Sequence, residues 1–136
     1  MNIIICLDDK NGVLFASRRQ SRDRVLCERV IELSKGSNLF MNKYSANLFS
    51  EFDCNICVDN DFLSKATEND YCFVENTDIT PFIDKIKCVI IYRWNRIYPS
   101  DVRLDKQAFL KNKAPQSVVN FPGASHDKIT EEIYII

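Results

Sequence analysis

Apolar positions in this chain come in short runs, each closed by a polar or turn-forming cluster. Asn2–Leu7 is continuously apolar after its first residue and stops at Asp8-Asp9-Lys10-Asn11-Gly12, the pattern of a central strand entering a turn. Val13–Phe15 is a brief apolar return. The spacing then changes: Leu26, Val30 and Leu33, joined by Cys27 and Ile31, recur at helical intervals and predict an amphipathic helix lying on a sheet. Ser21 is the expected N-cap, with Asp23 opposing the positive end of the dipole and Gly36 as the left-handed terminator.

Further on, Asn38–Met41 reads as a strand, and Ser45 as the cap of a second helix with Leu48, Phe49 and Phe52 inward. Asn55–Val58 is another strand, followed by a short helical piece around Phe62–Ala66. Tyr71–Val74 is a strand, and Thr80-Pro81 starts a helix, because proline fits the first helical position. The most apolar run begins at Ile86 and leads into Arg93, Trp94, Asn95, Arg96 and Tyr98 before Asp101. Val102–Gln116 predicts an irregular connection with one helical turn. Ser117–Phe121 and Lys128–Ile136 read as two antiparallel strands joined through Pro122-Gly123-Ala124-Ser125-His126. Strands alternating with helices, then strands alone, imply a mainly parallel sheet with an antiparallel edge in a single domain of 136 residues.

Composition narrows the function classes. A net charge of −1 argues against a general nucleic-acid binder, although it leaves room for a local basic pocket. No apolar run reaches the roughly 18 residues that a bilayer span needs. The first residues have neither a basic leader nor a small-residue cleavage site, so the chain is expected to be cytoplasmic. Six cysteines invite a metal or disulfide reading, yet most sit in apolar runs where a thiol packs as a small hydrophobe. Cys54 and Cys57 have CxxC spacing, but there is no second pair and only one histidine, so no metal site is expected.

Chemistry concentrates at the predicted strand ends, where open α/β sheets place ligands. Arg93, Trp94, Arg96 and Tyr98 combine guanidinium forks with aromatic surface, suited to a phosphate beside a ring. Strand alternation predicts Arg93 and Asn95 on one face and Trp94 and Arg96 on the other. Arg18, Arg19 and Ser21 lie in a loop over the presumed cleft. Asp23 and Glu28 are candidate acids, and Glu75 directly follows a strand. His126 is the only residue with an ordinary titration near neutrality, and so a candidate proton shuttle.

The order of elements resembles dihydrofolate reductase. Asn11-Gly12-Val13-Leu14 is similar to that family's turn after the first strand, and Asn38-Leu39-Phe40-Met41-Asn42-Lys43-Tyr44-Ser45 to its second strand and phosphate-binding turn. Asp70–Val74 stands where the family has a strand ending in a Gly-Gly pair, and Phe121 to Tyr134 is similar to its closing hairpin. The resemblance implies a mainly parallel central sheet with helices on both faces and an antiparallel C-terminal hairpin. It implies Lys43 and Ser45 at the NADPH phosphates. The departures fall on the chemistry: Asn42 replaces a glycine, Glu75-Asn76 replaces the Gly-Gly pair, and Arg18-Arg19-Gln20-Ser21 replaces the segment before the substrate helix. A carboxylate at a pyrophosphate site is repulsive unless a cation intervenes.

These departures lead to the expectation of a small-molecule binding protein without intact reductase chemistry and without a cofactor. Its partner is expected to be a small anionic or nucleotide-like ligand, drawn to a concavity that Arg18, Arg19 and Lys43 share with only one of Arg93 and Arg96, Arg96 being favoured beside Trp94 and Tyr98. An NADPH-dependent reductase with an altered cofactor loop and a metal-independent nuclease or hydrolase using His126 are the alternatives. Homo-oligomerisation is left open.

Overall fold

The first strand, β1 (Asn2–Leu7), lies at the centre of a seven-stranded sheet, and its Ile3, Ile4 and Leu7 are wholly shielded from solvent. The computed structural model describes residues 1–136. Residues 12–15 form β2 (Gly12–Phe15), followed by β3 (Arg18–Arg19), helix α1 (Arg24–Leu33), β4 (Leu39–Met41) and α2 (Lys43–Ala46), which tightens into a 3-10 turn over Asn47–Phe49. Then come β5 (Ile56–Val58), α3 (Phe62–Lys65), β6 (Tyr71–Phe73) and a 3-10 helix over Thr80–Lys85. The chain ends with β7 (Cys88–Arg93), β8 (Val102–Arg103), α4 (Gln107–Leu110), β9 (Ser117–Phe121) and β10 (Ile129–Ile135).

The main sheet runs β5-β4-β6-β1-β7-β10-β9. Pairing is parallel from β5 through β7, and β10 and β9 are antiparallel. A small antiparallel sheet, β3-β2-β8, sits beside it. Alternation along β1 divides the core in two. Ile3, Ile5 and Leu7 pack with Phe62, Leu63, Phe109 and Leu110 from α3 and α4, whereas Ile4 faces Leu26, Val30 and Phe49 under α1 and the turn after α2. Helices therefore cover both faces, as expected. Cys27, Cys72 and Cys88 are buried within these clusters.

Three local expectations need correction. Ser21 does not cap α1: Asp23 does, its extended backbone letting Oδ1 accept from the N–H groups of Val25 and Leu26. Ser45 lies inside α2, which is capped by the side chain of Asn42, three residues earlier. Helix α1 ends before Gly36, at Ser34, whose hydroxyl donates to the carbonyl of Val30. Gly36, at φ +85°, turns the chain two residues later.

Alternation beyond β7 also fails. Trp94 extends the ladder by donating to the carbonyl of Leu7, but Asn95 adopts φ +60° and its amide ties back to Lys128 and Thr130. That turn separates Trp94 from Arg96: the indole is buried and the guanidinium is exposed.

Candidate functional site

A cleft of about 420 Å³ opens between the small sheet and the segment that follows β6. Ile5, Leu14 and Phe109 give it apolar walls, while Asn76, Thr77 and Thr80 supply polar groups on one lip. Residues 102–105 form the other lip, with Arg103 as its cation. Three carboxylates also line it, Glu75, Asp78 and Asp105. Asp78 accepts from the N–H of Thr80 and Asp105 from that of Gln107, so both spend a lone pair on a local cap.

Glu75 has the most elaborate surroundings. Arg19 reaches it from β3 with two parallel bonds, Nε to Oε2 at 2.8 Å and Nη2 to Oε1 at 3.0 Å. Ser45 donates to Oε1 at 2.8 Å, and the Arg19 guanidinium lies over the Tyr44 ring, whose hydroxyl accepts from the backbone N–H of Arg19. The hydrogen bond with Glu75 raises the Arg19 pKa despite the opposing effect of burial. The cation needed beside a carboxylate at this position is thus supplied by the protein. Next to it, Asn42 Nδ2 donates to Asn76 Oδ1 at 2.6 Å and to Thr77 Oγ1 at 3.4 Å. The turn that follows β4 and the segment that follows β6 are thus bonded to each other.

A second cluster forms on the opposite face of the sheet, under the start of α1. Asp23 and His126 are both buried, and His126 Nδ1 lies 3.0 Å from Asp23 Oδ2. His126 Nε2 lies 3.1 Å from Ser21 Oγ and 3.1 Å from the Tyr98 hydroxyl. The imidazole stacks on Trp94 with centroids 4.6 Å apart. Burial alone would raise the Asp23 pKa. The N–H donors of Ala124 and Ser125, together with His126, outweigh it and hold the carboxyl well below its usual range. An ionised Asp23 fixes the tautomer, with the proton on Nδ1 and the lone pair of Nε2 facing Ser21 and Tyr98. Gly123 permits this approach, since a Cβ there would meet Asp23 Oδ2 at 2.5 Å.

The remaining candidates are spread out. Arg93 is half-buried and committed, Nε to Glu132 at 3.3 Å and Nη1 to Asn11 Oδ1 at 2.7 Å. Arg18, Lys43 and Arg96 are exposed. Glu28 is exposed and pairs with Arg24. The cations therefore do not share one concavity; each is neutralised by a carboxylate or faces water. Ser21, Asp23, Trp94, Tyr98 and His126 are brought together, as are Arg19, Ser45 and Glu75.

Sequence reasoning passed over Arg103 and Phe109, because residues 102–116 show no periodicity. It also passed over Arg29, whose guanidinium makes two bonds to the buried Glu131 while the Tyr92 hydroxyl donates to the same carboxylate. The one available signal for that pair was the Glu131-Glu132 pair between apolar residues of the closing strand.

No protein-family model matches the chain, and no curated protein matches it. The structure is similar to that of dihydrofolate reductase from Enterococcus faecalis complexed with NADP(H) and RAB-propyl, with a TM-score of 0.64 and 7% sequence identity, covering 98% of this chain and 94% of that one. The fold is dihydrofolate reductase-like and the sequence has diverged far from it.

Proposed function

We propose that the protein is a small-molecule binding protein that takes a phosphorylated or nucleotide-like ligand in the cleft beside Glu75 and lacks intact reductase chemistry. The observation that carries this reading is the Arg19–Glu75 pair beside an open cleft. A carboxylate already satisfied by Arg19 and Ser45 offers nothing to a dinucleotide pyrophosphate, and the Asn42–Asn76 bond draws together the segments that would have to admit it. The neighbouring volume stays open and apolar-walled, as ligand sites usually are. A ring packs against Leu14 and Phe109, hydroxyls meet Thr77 and Thr80, and an anion meets Arg103. With Asp78 and Asp105 nearby, one phosphate is accommodated better than several.

Thermal unfolding with a nucleoside monophosphate, the parent nucleoside and NADPH tests the reading. Stabilisation by the monophosphate, reduced in Arg103→Ala and by added salt, is expected. A shift with NADPH of equal or greater size would replace binding of a mononucleotide with the reductase reading.

A further inference from the structure

The cluster under α1 lies on the other face of the sheet from the cleft, and the proposed binding function leaves it without a role. It has the connectivity of a nucleophile, a base and an orienting acid: Ser21 Oγ to His126 Nε2 at 3.1 Å, and His126 Nδ1 to Asp23 Oδ2 at 3.0 Å. Burial falls in the order this chemistry needs. The side chains of Asp23 and His126 are 0% and 3% exposed, while Ser21 is half-buried. Trp94 covers one face of the imidazole and Ser125 Oγ lies 3.2 Å from Nδ1, so the ring is held in place.

The Tyr98 hydroxyl lies 3.1 Å from His126 Nε2 and 3.5 Å from Ser21 Oγ, and the backbone N–H groups of Ser21 and Arg22 have no acceptor within the protein. A recess of about 260 Å³ adjoins the cluster, lined by Arg22, Asp23, Leu48, Glu51 and Ser125, with Arg24 in its wall paired to Glu28.

We infer that Ser21, His126 and Asp23 form a second, catalytic site that hydrolyses small carboxylic esters. Ser21 Oγ attacks the ester carbonyl, the Oγ–C bond forms, and the hydroxyl proton passes to His126 Nε2. The C–O bond to the alcohol breaks and the alcohol leaves with that proton. Water then gives a proton to Nε2 and attacks the acyl-Ser21 ester. The acid is released and the proton returns to Ser21, so that ester and water become acid and alcohol. Ser21 and His126 are the catalytic residues. Asp23 is a positioning residue that sets the tautomer.

The test uses the whole chain and a fluorophosphonate, which forms an Oγ–P bond as fluoride leaves. Peptide mass spectrometry is expected to place the label on Ser21 of the wild-type protein. Ser21→Ala, checked by circular dichroism, abolishes it, and His126→Gln slows it roughly a hundredfold. Asp23→Asn, whose amide no longer holds the proton on Nδ1, slows the labelling, and Asp23→Glu, which keeps a carboxylate, restores part of the rate. p-Nitrophenyl acetate reports hydrolysis, expected for the wild-type protein and lost in Ser21→Ala. An unlabelled wild-type protein, or label that persists in Ser21→Ala, would overturn the inference and leave the cluster as a clamp between two loops. Neither result depends on whether the cleft beside Glu75 binds a nucleotide.

Discussion

Arg19 and Glu75, 56 residues apart, meet through two hydrogen bonds that close the end of β6 with a salt bridge. Their side chains are 20% and 9% exposed, so the pair is only partly screened by water. Glu75→Gln leaves the guanidinium without its counter-charge. It is expected to destabilise the fold by about 2 kcal/mol, the worth of hydrogen bonds to a charged group. The melting temperature should fall by roughly 5–10 °C. In a double-mutant cycle with Arg19→Met, the coupling energy should exceed about 1 kcal/mol; additivity would mean the pair does little.

NADPH is expected to leave the melting temperature unchanged at millimolar concentration. A ligand present at a thousand times its dissociation constant would add about 4 kcal/mol, which a melt resolves easily. Glu75→Gly with Asn42→Gly restores the two backbone approaches and is the variant in which any NADPH-dependent shift should first appear.

Stability should be lost on the acid side. The carboxyls of Asp8, Asp23, Asp70 and Glu131 are all held below their ordinary values by hydrogen bonds that outweigh burial. A depressed folded pKa contributes stability that is fully present above the unfolded value, about 4, and lost as pH falls through the folded one. Urea midpoints should be level between about pH 5 and 7 and decline below about pH 4. Asp23→Asn should flatten that decline; an unaltered acid limb would show that Asp23 contributes little to it.

Gly123→Ala tests the packing of the 122–126 loop on Asp23. Because the added methyl group meets the carboxylate at 2.5 Å and the carbonyl of His126 at 2.9 Å, it must displace one of them. A loss of roughly 1–3 kcal/mol is expected, in the range for overpacked sites. Chemical denaturation measures it, and a neutral result would mean the loop is free to move.

The thiols should divide by burial. Burial pushes Cys27 and Cys72 up to about 12 and also raises Cys88. A thiol reagent at pH 8 should leave these three unmodified in the native protein and titrate all six cysteines in denaturant. Rapid native reaction of all six would show that the core opens readily.

The sequence by itself determined the elements of the main sheet and their order, but not β3 and β8 of the small sheet, which are two-residue strands in stretches that read as loop. Runs such as Asn2–Leu7 and Ser117–Phe121 are strands because their apolar content and the turn residues that bound them act over a few positions. The spacing of Leu26, Val30 and Leu33 marks a helix for the same local reason. The sequence also shows Asn42 and Glu75-Asn76 as the residues at two turns after predicted strands, where side chains rather than glycines stand. Which side chains meet is a property of the sheet order, and only the tertiary structure decided it. Arg19 finds Glu75 because β3 folds back over the end of β6. His126 finds Asp23 because β10 returns beside β7 and brings its preceding loop onto α1. Local signals even mislead at such places: Ser21 and Ser45 are good caps in isolation, but Asp23 and Asn42 take the caps. That leaves one serine against an imidazole and the other against a carboxylate. The sequence shows which groups need partners, and long-range packing assigns those partners.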